Sequence, residues 1–337
     1  MIMNNPRIAL VDSGIRNISR LSESVVENYI YDKKCQSLIM ANSMEDDNGH
    51  GTLCASTIIK ECPNTEIINI KILDNNGECS LEDIENVLRI IKILNVNIVN
   101  LSLALDGNVN TRSLRKICEE LKRQNIILVS SVMNGTNKSV PAIYKQCIGV
   151  QGCILKSEAD IWFNKRKTTQ CVVDSTPYFH QIDEEKYILW GKSNSYATAR
   201  VSGILARELN NNYSFENAIR ILENLRTKKY WNRFSLLKSH RMPDIYQYKD
   251  ICEAGLLSEV EKFVKSYLKN DQVKDIRLLS NEGGLVYSDC YNFLRCLQRE
   301  FAITIEDYTE VSREVFYSIY SLCYYLEQKI NNNGQRN

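Results

Sequence analysis

Histidine is scarce in this chain of 337 residues: His50, His180 and His240 are all there is. None of the twelve cysteines stands in a Cys-x-x-Cys pair. A Cys/His metal site needs ligands at such spacings, so no metal and no cofactor is expected. The chain is also far longer than a disulfide-stapled scaffold, and Cys54, Cys118, Cys147, Cys171 and Cys323 sit inside apolar runs, as small buried hydrophobes do. An excess of one charge is missing too. Lys+Arg number 42 against Asp+Glu 41, and without a basic stripe the chain lacks the footprint of a nucleic-acid or membrane-surface binder. The longest apolar runs, such as 125–132, fall far short of the roughly 20 residues that span a bilayer. The opening Met1-Ile2-Met3-Asn4-Asn5-Pro6-Arg7 has no basic region leading into an apolar one and a small-residue cleavage site. The expectation is a soluble, cytoplasmic protein made without a pro-segment, whose 44% hydrophobic residues suffice for one or two cores.

What is present is an alternation. Short β-branched runs recur at 8–11, 66–73, 96–103, 126–132, 147–151 and 170–173. Each reads as a buried strand. Helical spacing fills the gaps, as in Leu81-Ile84-Val87-Leu88-Ile91, with Ser80 ahead of Glu82 and Asp83 as a capped start, and in Leu114-Ile117-Cys118-Leu121. Strands alternating with helices predict an α/β fold with a doubly wound parallel sheet, whose functional groups gather at the carboxyl ends of the strands. After about Asn212 only helical patterns follow, and Phe215-Ala218-Ile219-Ile221-Leu222-Leu225 closes the first unit. Three amphipathic stripes then appear: Leu256 to Leu268, Cys290 to Phe301, and Val315 to Ile330. The predicted organisation is a domain over 1–245 and a small all-α bundle over 250–332.

Three short segments carry chemistry. The first strand ends in Val11-Asp12-Ser13-Gly14, which puts a carboxylate at the sheet's carboxyl edge. A strand-terminal Asp can equally cap a turn or a helix. In Asn48-Gly49-His50-Gly51-Thr52 a histidine stands between two glycines ahead of a helical run, which lets the backbone turn sharply and leaves the imidazole open; a locally bonded helix-start histidine has the same sequence. Ser195, in Ser193-Asn194-Ser195-Tyr196-Ala197, stands at the start of a small-residue helix, either as a hydroxyl near the helix dipole or in ordinary capping. Together they carry more weight than apart. A hydroxyl nucleophile needs an imidazole to take its proton, a carboxylate to orient that imidazole, and donors for the oxyanion. Asn134, at the end of the run 126–132, supplies an amide for the last role beside the Ser195 N–H.

The order Asp12, His50, Asn134, Ser195, with Val-Asp-Ser-Gly, Gly-His-Gly-Thr, Asn100-Leu101-Ser102-Leu103 and the segment from Ser195 to Gly203, resembles the subtilisin-like serine peptidases over roughly 7–226. The resemblance implies an Asp12/His50/Ser195 triad, an oxyanion held by Asn134, and an extended substrate bound along Ser102, Leu103 and Ala104. It also implies that the pocket for the side chain preceding the scissile bond is walled by these residues and by Ser131, Val132 and Met133. Ala104 and Met133 replace residues commonly Gly in the family, so a shallow pocket taking Gly, Ala or Ser is expected. Ser193-Asn194 replaces the usual Gly-Thr before the nucleophile, and Ala199 the usual Pro after it. These changes remove no catalytic group.

The tail, over roughly 255–332, resembles acyl or peptidyl carrier proteins. The carrier attachment serine has no counterpart in register: the place falls on Tyr287, with Ser288 one residue late, so phosphopantetheine on Ser288 is not expected. The combination resembles bacterial peptide-maturation systems. The expected function is a cytoplasmic serine endopeptidase of narrow specificity that removes the leader of a ribosomally made precursor, with the tail as a docking module for precursor or for a maturation enzyme. The alternatives are a pseudopeptidase that binds precursor without cutting, and an esterase or ligase using the same triad.

Overall fold

The computed structural model describes residues 5–106, 111–133, 139–239 and 244–334. They divide into two compact units: Met1–Ser175 with Ile182–Glu184 and Gly191–His240, and Thr176–Gln181 with Glu185–Trp190 and Arg241–Asn337.

In the first unit β1 (Arg7–Asp12) buries five of its six residues, as a strand covered on both faces must. After α1 (Ser19–Ser22) come β2 (Val25–Asp32) and β3 (Ser37–Met40), paired antiparallel. Then follow α2 (His50–Glu61), β4 (Glu66–Lys71) and α3 (Leu81–Ile91). The start of α3 is fixed by a capping box: Ser80 Oγ accepts the Asp83 N–H, and the Asp83 carboxylate accepts the Ser80 N–H. Next are β5 (Ile98–Leu101), β6 (Leu105–Asp106), α4 (Arg112–Arg123), β7 (Ile127–Ser131), β8 (Ser139–Val140), β9 (Cys147–Cys153), β10 (Ile161–Phe163) and β11 (Cys171–Asp174). A hairpin of β12 (Tyr178–Asp183) and β13 (Lys186–Trp190) precedes α5 (Asn194–Glu208), α6 (Phe215–Leu225) and α7 (Arg233–Ser239).

The described residues form one nine-stranded sheet in the order β10-β11-β9-β7-β5-β1-β4-β2-β3. Seven strands are parallel, while β3 and β10 close the two edges antiparallel, so the sheet is mixed rather than purely parallel. The buried runs read from the sequence are its central strands. The strands without such a run lie toward the two margins of the sheet: β10 is only three residues long, while β2 and β3 are partly exposed, Ile39 and Met40 among their exposed residues. On one side, α3 and α4 deliver Ile84, Val87, Leu88, Leu114 and Leu121 to a core with Ala9, Val11, Val99 and Leu128 of the sheet. Elsewhere α2 and α5 press so close that a Cβ at Gly203 would lie 2.6 Å from Glu61 Cβ and 2.8 Å from the Ile58 carbonyl oxygen.

The second unit holds α8 (Ala254–Leu268), α9 (Cys290–Glu300) and α10 (Ile319–Gly334). Val260, Val264, Phe293, Leu294, Leu297, Leu322 and Leu326 form its core, as the three stripes require. Val315 is not on α10; it lies in a separate 3-10 turn, Arg313–Phe316. The unit is also not purely helical. Phe179 and Leu189, from the hairpin, are buried in the same core, and Phe179 meets Phe316 edge-on at 5.9 Å.

A methyl group at the α2–α5 crossing tests this packing. Gly203→Ala is expected to lower stability, because overpacking costs about 1–3 kcal/mol against the roughly 1 kcal/mol that Ala gains over Gly inside a helix. Urea unfolding measures it, and an unchanged or higher midpoint would contradict the close crossing.

Candidate active site

The strand order reverses at β1, which lies between β4 and β5, although the chain visits β2, β3 and β4 before β5. Ligand sites of open α/β sheets form at such a switch point, beyond the carboxyl ends of the strands. Asp12, the last residue of β1, is fully buried there. Its Oδ1 accepts from the Ser13 N–H at 2.8 Å and lies 2.7 Å from His50 Nδ1. That contact leaves the other ring nitrogen, Nε2, as the one able to exchange a proton with a hydroxyl.

The two glycines beside His50 have distinct roles. Gly49 caps α2 with φ +88°, a left-handed conformation that favours glycine. Gly51 lets α2 approach the end of β1, since a Cβ there would fall 2.1 Å from the Gly14 carbonyl oxygen. Asp46, which belongs to none of the sequence motifs, locks the arrangement. Its buried carboxylate accepts from Ser13 Oγ, the Gly49 N–H, the Thr52 N–H and Thr52 Oγ, at 2.6–2.9 Å. The acidic run Glu45-Asp46-Asp47 just ahead of a helix start is the one signal of it in the sequence.

Ser195 is the second residue of α5, whose cap is Ser193 accepting the Tyr196 N–H. The Ser195 amide therefore belongs to the first turn of a fifteen-residue helix, where N–H groups lack helical acceptors and the dipole favours negative charge. Two reciprocal bonds fasten Ser195 to the end of β5: Ser102 Oγ donates to the Ser195 carbonyl oxygen at 3.2 Å, and Ser195 Oγ donates to the Ser102 carbonyl oxygen at 3.1 Å. Among the described residues this is the one hydrogen bond of the Ser195 hydroxyl. Asn100 supports the join, donating to Ser102 Oγ while accepting from Ser202 of α5.

Asn194 accounts for one departure from the resemblance. Its amide donates to the Val132 carbonyl oxygen at 2.7 Å and its oxygen accepts the Gly152 N–H at 2.9 Å. The residue before Ser195 thus ties the ends of β7 and β9 together. Asn134 lies outside the described residues. Of the expected pocket walls, Val132 and Met133 border a cleft of about 660 Å3 that also takes in Gly152 and Asn194. Ser131 is buried at the end of β7, and Leu103 and Ala104 are half-buried beyond β5 without bordering that cleft. The rest of the border of this cleft comes from other segments, among them Gln151, Lys167, Lys192, Trp231 and Arg233.

The fully buried Asp12 carboxylate raises the proton affinity of His50 above the ordinary imidazole value of 6.5, against the opposing effect of desolvation. Cys54, one helical turn after His50, brings its thiol within 3.9 Å of Nδ1, and burial pushes that thiol up. Ligand atoms of Asp12, His50 and Cys54 lie within 4.8 Å of one another, as do those of Cys252, Cys323 and Glu327 in the second unit. In each trio two ligands share a helix at i, i+4, His50 with Cys54 and Cys323 with Glu327, while the third, Asp12 or Cys252, comes from another segment and is not visible as a spacing. Ser288 is exposed in a single 3-10 turn, Tyr287–Asp289, ahead of α9.

Comparison with known proteins agrees with this geometry. The family model for the subtilase family, Peptidase S8, matches residues 3–233. Minor extracellular protease Epr of Bacillus subtilis (strain 168) is 28% identical over 166 residues, 46% of this chain and 24% of that protein. A thermostable alkaline protease of Halalkalibacterium halodurans is 27% identical over 158 residues, 44% of this chain and 41% of that protein. The chain thus spans well under half the length of these curated relatives. Among solved structures, a cold adapted subtilisin-like serine proteinase superposes with TM-score 0.51 at 15% identity, covering 65% of this chain and 81% of its own. A lanthipeptide protease does so with TM-score 0.54 at 17% identity, covering 65% and 79%. These likenesses show the fold. Among the described residues no helix is long and apolar enough to cross a membrane. The family match covers more than half of the chain, which therefore belongs to the subtilase family.

Proposed function

We propose that Asp12, His50 and Ser195 are the catalytic set of an endopeptidase of narrow specificity, one that removes the leader from a ribosomally made precursor peptide. The observation that carries the reading is the 2.7 Å contact of His50 Nδ1 with buried Asp12 at the switch point, with Ser195 fastened to the adjoining strand end through Ser102. Asp12 fixes the ring and stabilises the imidazolium. His50 takes the Ser195 proton through Nε2 as Oγ attacks the peptide carbonyl, then returns it to the leaving amine, and water repeats the cycle on the acyl-enzyme. The Ser195 N–H and the Asn134 amide hold the oxyanion. Substrate lies extended along Ser102, Leu103 and Ala104.

Leader removal is supported by the lanthipeptide protease among the structural neighbours. A reducing, cytoplasmic setting is supported by twelve cysteines that are all free thiols. The second unit, carrier-like in its helical stripes, serves as a docking module for precursor or for a maturation enzyme, without phosphopantetheine on Ser288. A peptide-binding adaptor is the second reading, and the bond from Ser195 Oγ to the Ser102 carbonyl favours it, since that hydroxyl is not aimed at a base.

An organofluorophosphonate probe separates the two readings. Intact-mass measurement is expected to show one covalent adduct on the wild type and none on Ser195→Ala; a folded wild type that stays unlabelled supports the adaptor. The labelling rate is expected to rise with pH as His50 loses its proton, with a midpoint above 6.5 because Asp12 raises that pKa. Asp12→Asn is expected to bring the midpoint down and the rate down by about 10⁴-fold. A midpoint unmoved by Asp12→Asn would dissociate the two residues. The same raised pKa makes the Asp12 and His50 pair fully stabilising below about pH 6.5, an effect lost as pH climbs through the folded-state value. Given a precursor encoded beside this gene, the full chain is expected to yield a single cut at the leader boundary, read by mass; many cuts would refute narrow specificity.

A further inference from the structure

The cleft of about 660 Å3 beside Asn194 has an unusual charge. Lys167, Lys192 and Arg233 border it, and no carboxylate does among the described residues. None of the three cations is in an ion pair with a described residue. Lys167 instead lies over the Trp231 ring, 5.0 Å from its centroid, which places that ammonium against the wall without neutralising it. The remaining walls add the hydroxyls of Thr168 and Thr169. Like charges gathered around a half-enclosed space repel one another and focus a positive potential into it.

The backbone supplies a second, independent observation. Lys192 has φ +55°, a left-handed conformation in which glycine would be unstrained and a lysine is not. Its N–H donates to the Ser175 carbonyl oxygen at 2.7 Å, so the conformation is held in place. The residue stands three positions ahead of Ser195, on the chain's approach to α5.

We propose that this cleft receives an acidic side chain, aspartate or glutamate, immediately before the scissile bond, with Lys167, Lys192 and Arg233 as its counter-charges. The inference rests on the endopeptidase reading for the position of the side chain, and on the cleft alone for its charge. Val132 and Met133 set the near wall, and Asn194, tied to Val132 and Gly152, joins that wall to the turn carrying Ser195. Removing a cation weakens an anionic ligand and leaves its neutral isostere nearly unaffected, and added salt narrows the difference. Lys192→Gly relieves backbone strain while removing a charge, so a lost preference in that variant is not a folding defect.

Matched peptides carrying Glu, Gln, Ala, Leu or Lys at one position provide the test. Cleavage by the full wild-type chain is read by mass, and binding to the full-length Ser195→Ala chain by fluorescence anisotropy. The expected result is a preference for Glu over Gln of about tenfold or more in kcat/KM and in affinity, equivalent to about 1.4 kcal/mol. The preference is expected to shrink in Lys192→Gly and Lys167→Met, and to pass to Lys in Arg233→Glu. Equal handling of Glu and Gln, or a preference for Ala or Leu, overturns the inference while fluorophosphonate labelling keeps the nucleophile. An unlabelled wild type that still binds the Glu peptide selectively refutes the peptidase chemistry and leaves the basic cleft and its acidic ligand standing.

Discussion

Everything at the proposed centre depends on one buried carboxylate that takes no part in the chemistry. Asp46 gathers four donors from the end of β1 and the first turn of α2. A buried charge is tolerable only when so fully bonded, and here the helix N-terminus adds its dipole. The same interaction presses α2 onto β1 until only glycine fits at Gly51, and this brings His50 within reach of Asp12. Arg16 binds from outside, its Nε donating to the Asp46 carbonyl oxygen and its N–H to Thr52 Oγ. Two side chains 38 residues apart are thereby held at 2.7 Å by contacts made almost entirely by their neighbours.

The parts of this arrangement legible in the sequence are those with local causes. Asp12 closes an apolar run, His50 opens a helix between glycines, Ser195 opens another, and each position follows from a rule about strand or helix ends. The helices α3, α4, α8 and α9 are legible from spacing, because each buries one stripe. What stays hidden is non-local. No periodicity reveals that Asp46 meets Ser13, that Asn194 spans the ends of β7 and β9, or that Lys167 and Arg233 border one cleft. The edge strand β3 and its neighbour β2 are hidden for another reason: partly exposed faces break the apolar run that announces a central strand.

The hairpin is the clearest such case. Strands β12 and β13 precede α5 in the chain, yet Phe179 and Leu189 are buried in the core built by α8, α9 and α10. A pattern search assigns a segment to its sequence neighbours, whereas burial assigns it to whichever apolar surface it covers. The excursion has a closed base, for the Lys192 N–H donates to the Ser175 carbonyl oxygen at the point where the chain returns. The second core is thus joined through the chain itself to the turn that presents Ser195.

That turn also bears on whether the departures from the family pattern signal lost activity. Ser193 and Asn194 stand where the family usually has Gly-Thr, and both make specific bonds. Ser193 caps α5, while Asn194 bridges Val132 and Gly152. Ala199 keeps α5 continuous where a proline would disturb its first turns. A decayed site loses such contacts, because nothing selects for them once turnover ends. Here Asn194 bonds to the strand ends beside the cleft, while Ser193 caps the helix. The bond from Ser195 Oγ to Ser102 is one rotamer of a half-buried hydroxyl, and catalytic hydrogen bonds are often looser before substrate arrives. The changes around Ser195 therefore fit the proposed peptidase as a remodelled wall beside a nucleophile turn whose hydroxyl is kept, and on that proposal they bear on what the cleft admits rather than on how the chain cuts.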